Sequence, residues 1–374
     1  MSIDKQAEDT AVADLLPNEP VRSLAPYKQG KSEAAGHADP IKVSSNESPL
    51  GASPRALEAY RKVGDSLFRY PNGAQTELRQ ALGEVFDLNP DQIVCGNGSE
   101  EVQSLLIRAF VSPGDEVIVS EHAFVMARIH ATVQGAKIVD APEPNHRTDV
   151  DEILNRVSPS TRMIVLASPN NPIGDYLPKP EFDRLVRAVP PHVIIVYDGA
   201  YADFVTEPDF THGFEYVSKH RNVVVTRTFS KLYGLAGLRI GWMYGDMSVI
   251  EPVQRIRTPF NANIAALAAA EAAVRDVDHA AKVREHNSVW LNRIRAHLEQ
   301  IGLDVFPTVA NFYLIRFPDE GPHTAQKAYQ HLMAAGIIPR PVNAGGPSGS
   351  LRITVGLDHE NEAVLNALTA FMEA

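Results

Sequence analysis

Asn222-Val-Val-Val-Thr-Arg-Thr-Phe-Ser-Lys-Leu-Tyr-Gly-Leu-Ala-Gly-Leu-Arg-Ile-Gly-Trp-Met-Tyr244 joins two apolar runs through a polar, glycine-rich segment. Neither run alternates apolar with polar residues, so each reads as a strand buried on both faces. Five more runs of the same kind precede it: Gln92-Ile-Val-Cys95, Glu116-Val-Ile-Val119, Lys137-Ile-Val139, Met163-Ile-Val-Leu166 and Val193-Ile-Ile-Val196. Helical segments are expected at 100–110, 125–134, 180–188 and 262–274. Strands alternating with helices imply a mostly parallel α/β sheet.

The rhythm changes after residue 275. A long helix is expected over 278–300, then a strand at Asn311-Phe-Tyr-Leu-Ile315, a helix over 325–335, Ile337-Ile338, a strand at Leu351-Arg-Ile-Thr-Val355 and a helix over 360–372. That is an α+β pattern. Before the sheet, Pro17, Pro20, Pro26, Gly30, Gly36 and Pro40 break any periodicity. The expected organisation is an N-terminal arm (1–44) lying over the body or a partner subunit, its first 20 residues a partly disordered tail. A large domain (45–275) and a small C-terminal domain (276–374) follow.

The 374 residues are 44% hydrophobic and 22% charged, which excludes a disordered or collagen-like chain. No apolar run approaches the roughly 18 residues a spanning helix needs. Residues 1–19 show no secretory signal, and a cytoplasmic setting is expected. The net charge of −11 disfavours nonspecific nucleic-acid binding. Cys95 is the one cysteine, which excludes a disulfide framework and a cysteine-rich metal centre; no metal is expected.

Ligands of an open parallel sheet bind beyond the carboxyl ends of its strands. Polar residues gather there after five of the runs: Gly96-Asn-Gly98-Ser99-Glu100, Ser120-Glu-His-Ala-Phe124, Ala167-Ser-Pro-Asn-Asn171-Pro-Ile-Gly174, Asp198-Gly-Ala-Tyr201, and Thr226-Arg-Thr-Phe-Ser230-Lys231 with Arg239 beyond. Each alone has an ordinary reading as a turn, a cap or a solvated charge. Together they describe a pocket for an anionic, aromatic cofactor, and pyridoxal phosphate fits. Lys231 supplies the amine that bonds its aldehyde, with a cationic neighbour and partial desolvation lowering the lysine pKa. Asp198 supplies a carboxylate for the ring nitrogen. Gly98, Ser99, Glu100, Ser230 and Arg239 form the phosphate end. Asn171 and Tyr201 can hydrogen-bond the ring hydroxyl, and Phe124 can stack on the ring.

At these residues the chain resembles the fold-type I, class I/II pyridoxal-phosphate-dependent aminotransferases. The carrying motifs are Ser168-Pro-Asn-Asn-Pro-Ile-Gly174, Tyr197-Asp-Gly-Ala-Tyr201 and Thr228-Phe-Ser-Lys-Leu-Tyr-Gly-Leu-Ala-Gly-Leu-Arg239. Within that group it most resembles the histidinol-phosphate aminotransferases. Leu24-Ala-Pro-Tyr-Lys-Gln-Gly-Lys31, Ser45-Asn-Glu-Ser-Pro-Leu-Gly51, Arg69-Tyr-Pro71, Arg257-Thr-Pro-Phe-Asn-Ala-Asn263 and Leu351-Arg-Ile-Thr-Val-Gly356 support this. The resemblance implies transamination between histidinol phosphate and 2-oxoglutarate, with Lys231, Asp198 and Tyr201 catalytic. It implies an obligatory homodimer in which Tyr70 reaches the neighbouring subunit's cofactor phosphate. Arg352 would bind the substrate's anionic group, with Tyr27, Asn46 and Arg340 beside it.

Three residues depart from the family pattern. Gly199 stands where glutamate is usual, Ile173 where threonine is usual, and Ala344-Gly345 where many relatives carry a tyrosine. The first two are expected to touch cofactor chemistry little; the third lies near the expected substrate pocket. Two other activities fit the same scaffold: an aromatic amino-acid aminotransferase, and a decarboxylase of a phosphorylated amino acid. The latter differs only in which Cα bond the site aligns. A regulator that merely binds the cofactor would need a DNA-binding module, for which the acidic first 40 residues offer no place.

Overall fold

Seven apolar runs become one sheet, six of them buried almost throughout and the seventh, Lys137–Ala141, a partly exposed edge strand. The computed structural model describes residues 16–27, 29–342 and 346–374. Strand β1 (Ile41–Lys42) comes first, and the large sheet is built from β2 (Ile93–Gly96), β3 (Glu116–Ser120), β4 (Lys137–Ala141), β5 (Thr161–Ala167), β6 (Ile194–Asp198), β7 (Val223–Thr228) and β8 (Gly241–Tyr244). Their order across the sheet is β2-β8-β7-β6-β5-β3-β4. All neighbours are parallel except those of β8, which runs antiparallel to both β2 and β7. Continuous burial cannot reveal that reversal. A parallel return needs a crossover, usually helical, whereas residues 229–240 hold only the short turn Ala236–Leu238.

One consequence places the site. Gly96 ends β2 and pairs with Gly241, where β8 begins, and Gly241 also pairs with Thr228 at the end of β7. The ends of β2, β6 and β7 and the start of β8 therefore share one edge of the sheet. A Cβ on Gly241 would overlap the Ser99 amide nitrogen. Glycine there lets the helix Gly98–Phe110 set its first turn directly on the sheet.

Helices Pro54–Lys62 and Thr76–Phe86, which apolar periodicity did not single out, pack against the alanine-rich helix Ile264–Arg275. Its Ala266, Ala269, Ala270 and Ala273 are buried, and such small side chains permit close helix approach. Ser53 caps the first of these helices by accepting from Ala56 N at 3.1 Å.

The second sheet is antiparallel, in the order β12-β13-β10-β9: β9 (Asp304–Val305), β10 (Phe312–Arg316), β12 (Arg340–Val342) and β13 (Ser350–Thr354). Trp290, Ile294 and Leu298 of helix Val277–Gln300 and Phe371 of helix Asp358–Glu373 bury against it. In the expected arm, β1 pairs in parallel with β11 (Ile337–Ile338), and Val43 joins the same apolar cluster. Residues 1–15 of the expected tail, and Ala344 and Gly345, lie outside the described residues. No helix among the described residues is long and apolar enough to cross a membrane.

Candidate active site

Phe229, fully buried, fixes the chain as it leaves β7, and two residues later Lys231 turns back over the sheet edge. Its Nζ donates to the carbonyls of Ser45 at 3.2 Å and Asn46 at 3.1 Å, and it stands 5.5 Å from the Tyr201 ring centre. Burial pushes the Lys231 ammonium down to about 7; the charges of Arg352 and Arg239 add to that, and Glu47 opposes it. A lysine in such surroundings is available as a neutral amine near neutral pH.

Asp198 ends β6. Its Oδ1 accepts from Thr226 Oγ1 at 3.0 Å and from the Ala200 amide at 3.2 Å. Burial raises its pKa, while hydrogen bonds from Gln103 and Thr226 and the charge of Arg227 hold it down. Tyr201 follows on the next turn, buried, its hydroxyl accepting from Asn46 Nδ2 at 2.9 Å and its ring edge-on to Phe312 at 5.1 Å.

The phosphate-end residues converge. No side-chain cap closes the N terminus of helix Gly98–Phe110. Gly98 adopts φ +82°, and a Cβ there would stand 2.7 Å from Arg239 Nη2. Arg239 Nη1 donates to Ser230 Oγ at 3.2 Å. Free helix amides, a hydroxyl and a guanidinium thus line a cradle that one added methyl would fill, and this suits a phosphate dianion. Glu100 instead faces His130, 3.8 Å away, which holds its carboxyl below the usual range.

At the substrate end, Arg352 is held by two acceptors: Nη1 donates to Asn171 Oδ1 at 2.6 Å and Nη2 to the Ser44 carbonyl at 2.9 Å. Its buried Nε has no hydrogen-bond partner. Arg340 lies directly opposite it across the β12–β13 pair. Arg340 also sits 5.9 Å from the Tyr27 ring, which packs edge-on against Phe124. Phe124 is therefore at the open side of the site, with 43% of its surface exposed. Tyr70 stands apart from this group. It is 82% exposed and stacks on Phe260 at 4.8 Å.

Sequence reasoning did not single out Thr226, Gln103 or Arg227 around Asp198, nor the carbonyls of Ser45 and Asn46 that hold Lys231. Arg227 left a signal, a charge inside an otherwise buried run. Carbonyl acceptors leave none, since every residue has one.

An amine, a carboxylate and an anion cradle on one edge of this sheet define the class, and the family comparison agrees. The chain belongs to the class I and II aminotransferases, whose family model matches residues 38–370, and its cofactor is pyridoxal phosphate. It is 44% identical over 358 residues to the histidinol-phosphate aminotransferase of Rhodopseudomonas palustris (strain BisA53), covering 96% of this chain and 98% of that protein. The corresponding protein of Maricaulis maris (strain MCS10) is 43% identical over 358 residues, with 96% and 99% covered. The crystal structure of histidinol-phosphate aminotransferase from Sinorhizobium meliloti in complex with pyridoxal-5'-phosphate matches with a TM-score of 0.86 at 25% identity, over 97% of this chain and 99% of that one.

Proposed function

We propose that this aminotransferase moves the amino group of histidinol phosphate to 2-oxoglutarate, giving imidazole-acetol phosphate and glutamate in histidine biosynthesis. Full-length relatives of that activity support the reading. The observation that carries it is the pair Arg340 and Arg352, in register on neighbouring strands. The Arg340 charge reaches Arg352, so the two cations together suit the substrate end to an anion of more than one charge.

When bound, pyridoxal phosphate supplies an electron sink that stabilises negative charge at the substrate's Cα. Lys231 would hold the cofactor's aldehyde through Nζ and, once the substrate's amine has displaced it from that bond, would be the group that takes and returns the Cα proton; burial pushes its ammonium down to about 7. Asp198 would hold a proton on the ring nitrogen, and Tyr201, braced by Asn46, would orient the ring hydroxyl together with Asn171. Gly98, Ser99, Ser230 and Arg239 would hold the phosphate, with Glu100 at its border, and Phe124 would cover the ring face. Arg352 binds the substrate anion, aided by Tyr27, Asn46 and Arg340.

The proposal includes a cytoplasmic homodimer in which Tyr70 serves the neighbouring subunit. It also includes the division into an arm (1–44), a large domain (45–275) and a small domain (276–374). Helix Ile264–Arg275 ends where Asp276 caps helix Val277–Gln300, which suits a boundary there.

The test follows the cofactor's absorbance in single turnovers with histidinol phosphate, phenylalanine, tyrosine and glutamate. Histidinol phosphate and glutamate should react fastest. A preference for phenylalanine or tyrosine would instead favour an aromatic amino-acid aminotransferase, and release of carbon dioxide without glutamate formation a decarboxylase.

A further inference from the structure

Arg227 is the charged residue of β7, and only 1% of its surface is exposed. A buried guanidinium is costly unless it is well paired. Its ion-pair partner, Asp203, stands 4.0 Å from Nε, and Nε itself has no hydrogen-bond partner. The group is held by neutral acceptors instead. Nη1 donates to the Thr226 carbonyl at 3.1 Å, Nη2 donates to the His212 carbonyl at 2.8 Å, and the Phe214 ring centre lies 4.8 Å away.

Gly199 completes this arrangement. Any Cβ at that position would overlap Arg227 Nη1, so the guanidinium occupies the place a side chain would take. The Thr226 carbonyl that accepts from Arg227 also accepts from the Gly199 amide at 3.0 Å, and the Thr226 hydroxyl donates to Asp198. The departure at 199, expected from the sequence to matter little, is therefore what admits a buried cation one residue from the carboxylate.

We infer that Arg227 is a positioning residue for Asp198, locking the turn that aims the carboxylate and keeping that carboxylate ionised. This rests on the reading that Asp198 faces the cofactor's ring nitrogen. The surrounding groups are consistent with a cation whose charge is not cancelled. Burial pushes His212 down to about 4 and raises Tyr197 and Tyr233, which leaves all three neutral around pH 7. Asp203 is raised by burial, and it is shared with Arg284 from helix Val277–Gln300. Facing Asp198 are neutral Gln103 and Thr226, the buried Tyr201 whose own ionisation Asp198 disfavours, and Arg227.

The experiment titrates the visible absorbance of the bound cofactor against pH in the holoenzyme. Removing a nearby cation lets the cofactor keep its proton to higher pH. Arg227→Gln, which keeps hydrogen-bond donors but loses charge, should raise the midpoint by about one pH unit. Arg227→Lys should stay near wild type. Asp203→Asn removes the opposing charge and should lower the midpoint, a reversal of sign that a purely structural role would not produce. An unchanged midpoint in Arg227→Gln, or a shift of the same sign in Asp203→Asn, overturns the inference. Should the Arg227 variants fail to fold, Asp203→Asn still decides: a fall supports the role, and no change or a rise overturns it. Asp198→Asn separates the two claims. If it leaves the titration and the cofactor affinity unchanged, the reading of Asp198 itself fails. If it alters them while Arg227→Gln does not, only the role of Arg227 fails.

Discussion

Asn46 donates its side-chain amide to the Tyr201 hydroxyl at 2.9 Å while its carbonyl accepts from Lys231 Nζ at 3.1 Å. Its backbone amide donates to Thr354 Oγ1 at 2.9 Å, and the Asn311 side chain donates to its carbonyl at 3.1 Å. One buried residue thus ties β13 and the residue just before β10 to both the lysine and the tyrosine. To do so it adopts φ +54°, a conformation that asparagine tolerates better than most residues.

Two substitutions separate the backbone from the amide. Asn46→Gly keeps the left-handed conformation and deletes the hydrogen bond to Tyr201, which should cost about 1–3 kcal/mol for the unpaired buried hydroxyl. Asn46→Ala adds roughly 1–2 kcal/mol of left-handed strain. Thermal unfolding should therefore rank wild type, Asn46→Gly and Asn46→Ala in falling order, with both variants slowed in turnover. Equal melting temperatures for the two variants would remove the strain argument.

The depressed Lys231 gives a pH dependence whose sign is fixed. Bonding of added pyridoxal phosphate to the cofactor-free protein needs the neutral amine, so its rate should climb as pH rises through about 7 and then level off. In the protein without cofactor, the unfolded chain keeps this lysine protonated up to about 10.4 while the folded chain releases the proton near 7. The unfolded state then binds more protons, and this group's contribution to stability rises with pH across that window. Arg352→Met removes a cation that depresses Lys231 and should move the kinetic limb to higher pH. A limb that stays in place would show that burial alone sets the value.

Much of this was legible in the sequence, and the reason is burial. All seven apolar runs are strands of the large sheet; six are legible because a strand covered on both faces must be apolar throughout, and the seventh, β4, is a partly exposed edge strand. The direction of β8 was not legible, since burial carries no polarity. At the candidate site, the strand-end rule pointed to Lys231, Asp198, Tyr201, Gly98, Ser230 and Arg239, and the structure gathers hydrogen-bonded groups around them. What stayed hidden were partnerships across long stretches of chain. Arg227 acquires meaning only beside Gly199, and Asn46 only beside Tyr201 and Thr354. Asn46 was expected among the substrate residues, and its amide also braces Tyr201.

The cradle offers a substitution smaller than any charge change. Gly98→Ala places a methyl at positive φ, 2.7 Å from Arg239 Nη2, so the guanidinium must leave the helix N terminus. Losing one charge-assisted hydrogen bond to phosphate is worth about 1.5–3 kcal/mol, or roughly 10- to 150-fold in cofactor affinity. Equilibrium dialysis with pyridoxal phosphate measures this directly. Arg239→Ala should lose a similar amount, and adding it to Gly98→Ala should cost little more, because both remove the same contact. Additive losses would mean that the two residues act separately.

Tyr70 makes the proposed dimer testable without a structure of it. Exposed, and among the described residues stacked on the exposed Phe260, it is available to another chain. Chains carrying Tyr70→Phe and chains carrying Lys231→Ala should each be impaired as homodimers. A mixed dimer holds one site with both lesions and one with neither, so mixing should restore activity. No recovery, with subunit exchange demonstrated by mass spectrometry, would assign Tyr70 to its own chain.

The opposed arginines bear on the choice of substrate. Histidinol phosphate carries a CH2–phosphate where glutamate carries an α-carboxylate, so one site must accept different anions in turn. Arg352, held by Asn171 and Ser44 with its Nε unpaired, is oriented for either, because a planar guanidinium can pair with both. Arg352→Lys keeps the charge but loses that geometry, and both half-reactions should fall. Arg340 lies opposite and beside Tyr27, on the side where a doubly charged group would extend. Arg340→Ala should therefore lower kcat/KM for histidinol phosphate about 10- to 150-fold, and glutamate less. Tyr27→Phe should shift the same ratio in the same direction by a smaller factor. Single-turnover rates with each donor read the two effects apart. Equal losses for both donors would remove the phosphate role of Arg340, and with it the residue-level reason for placing histidinol phosphate ahead of an aromatic amino acid.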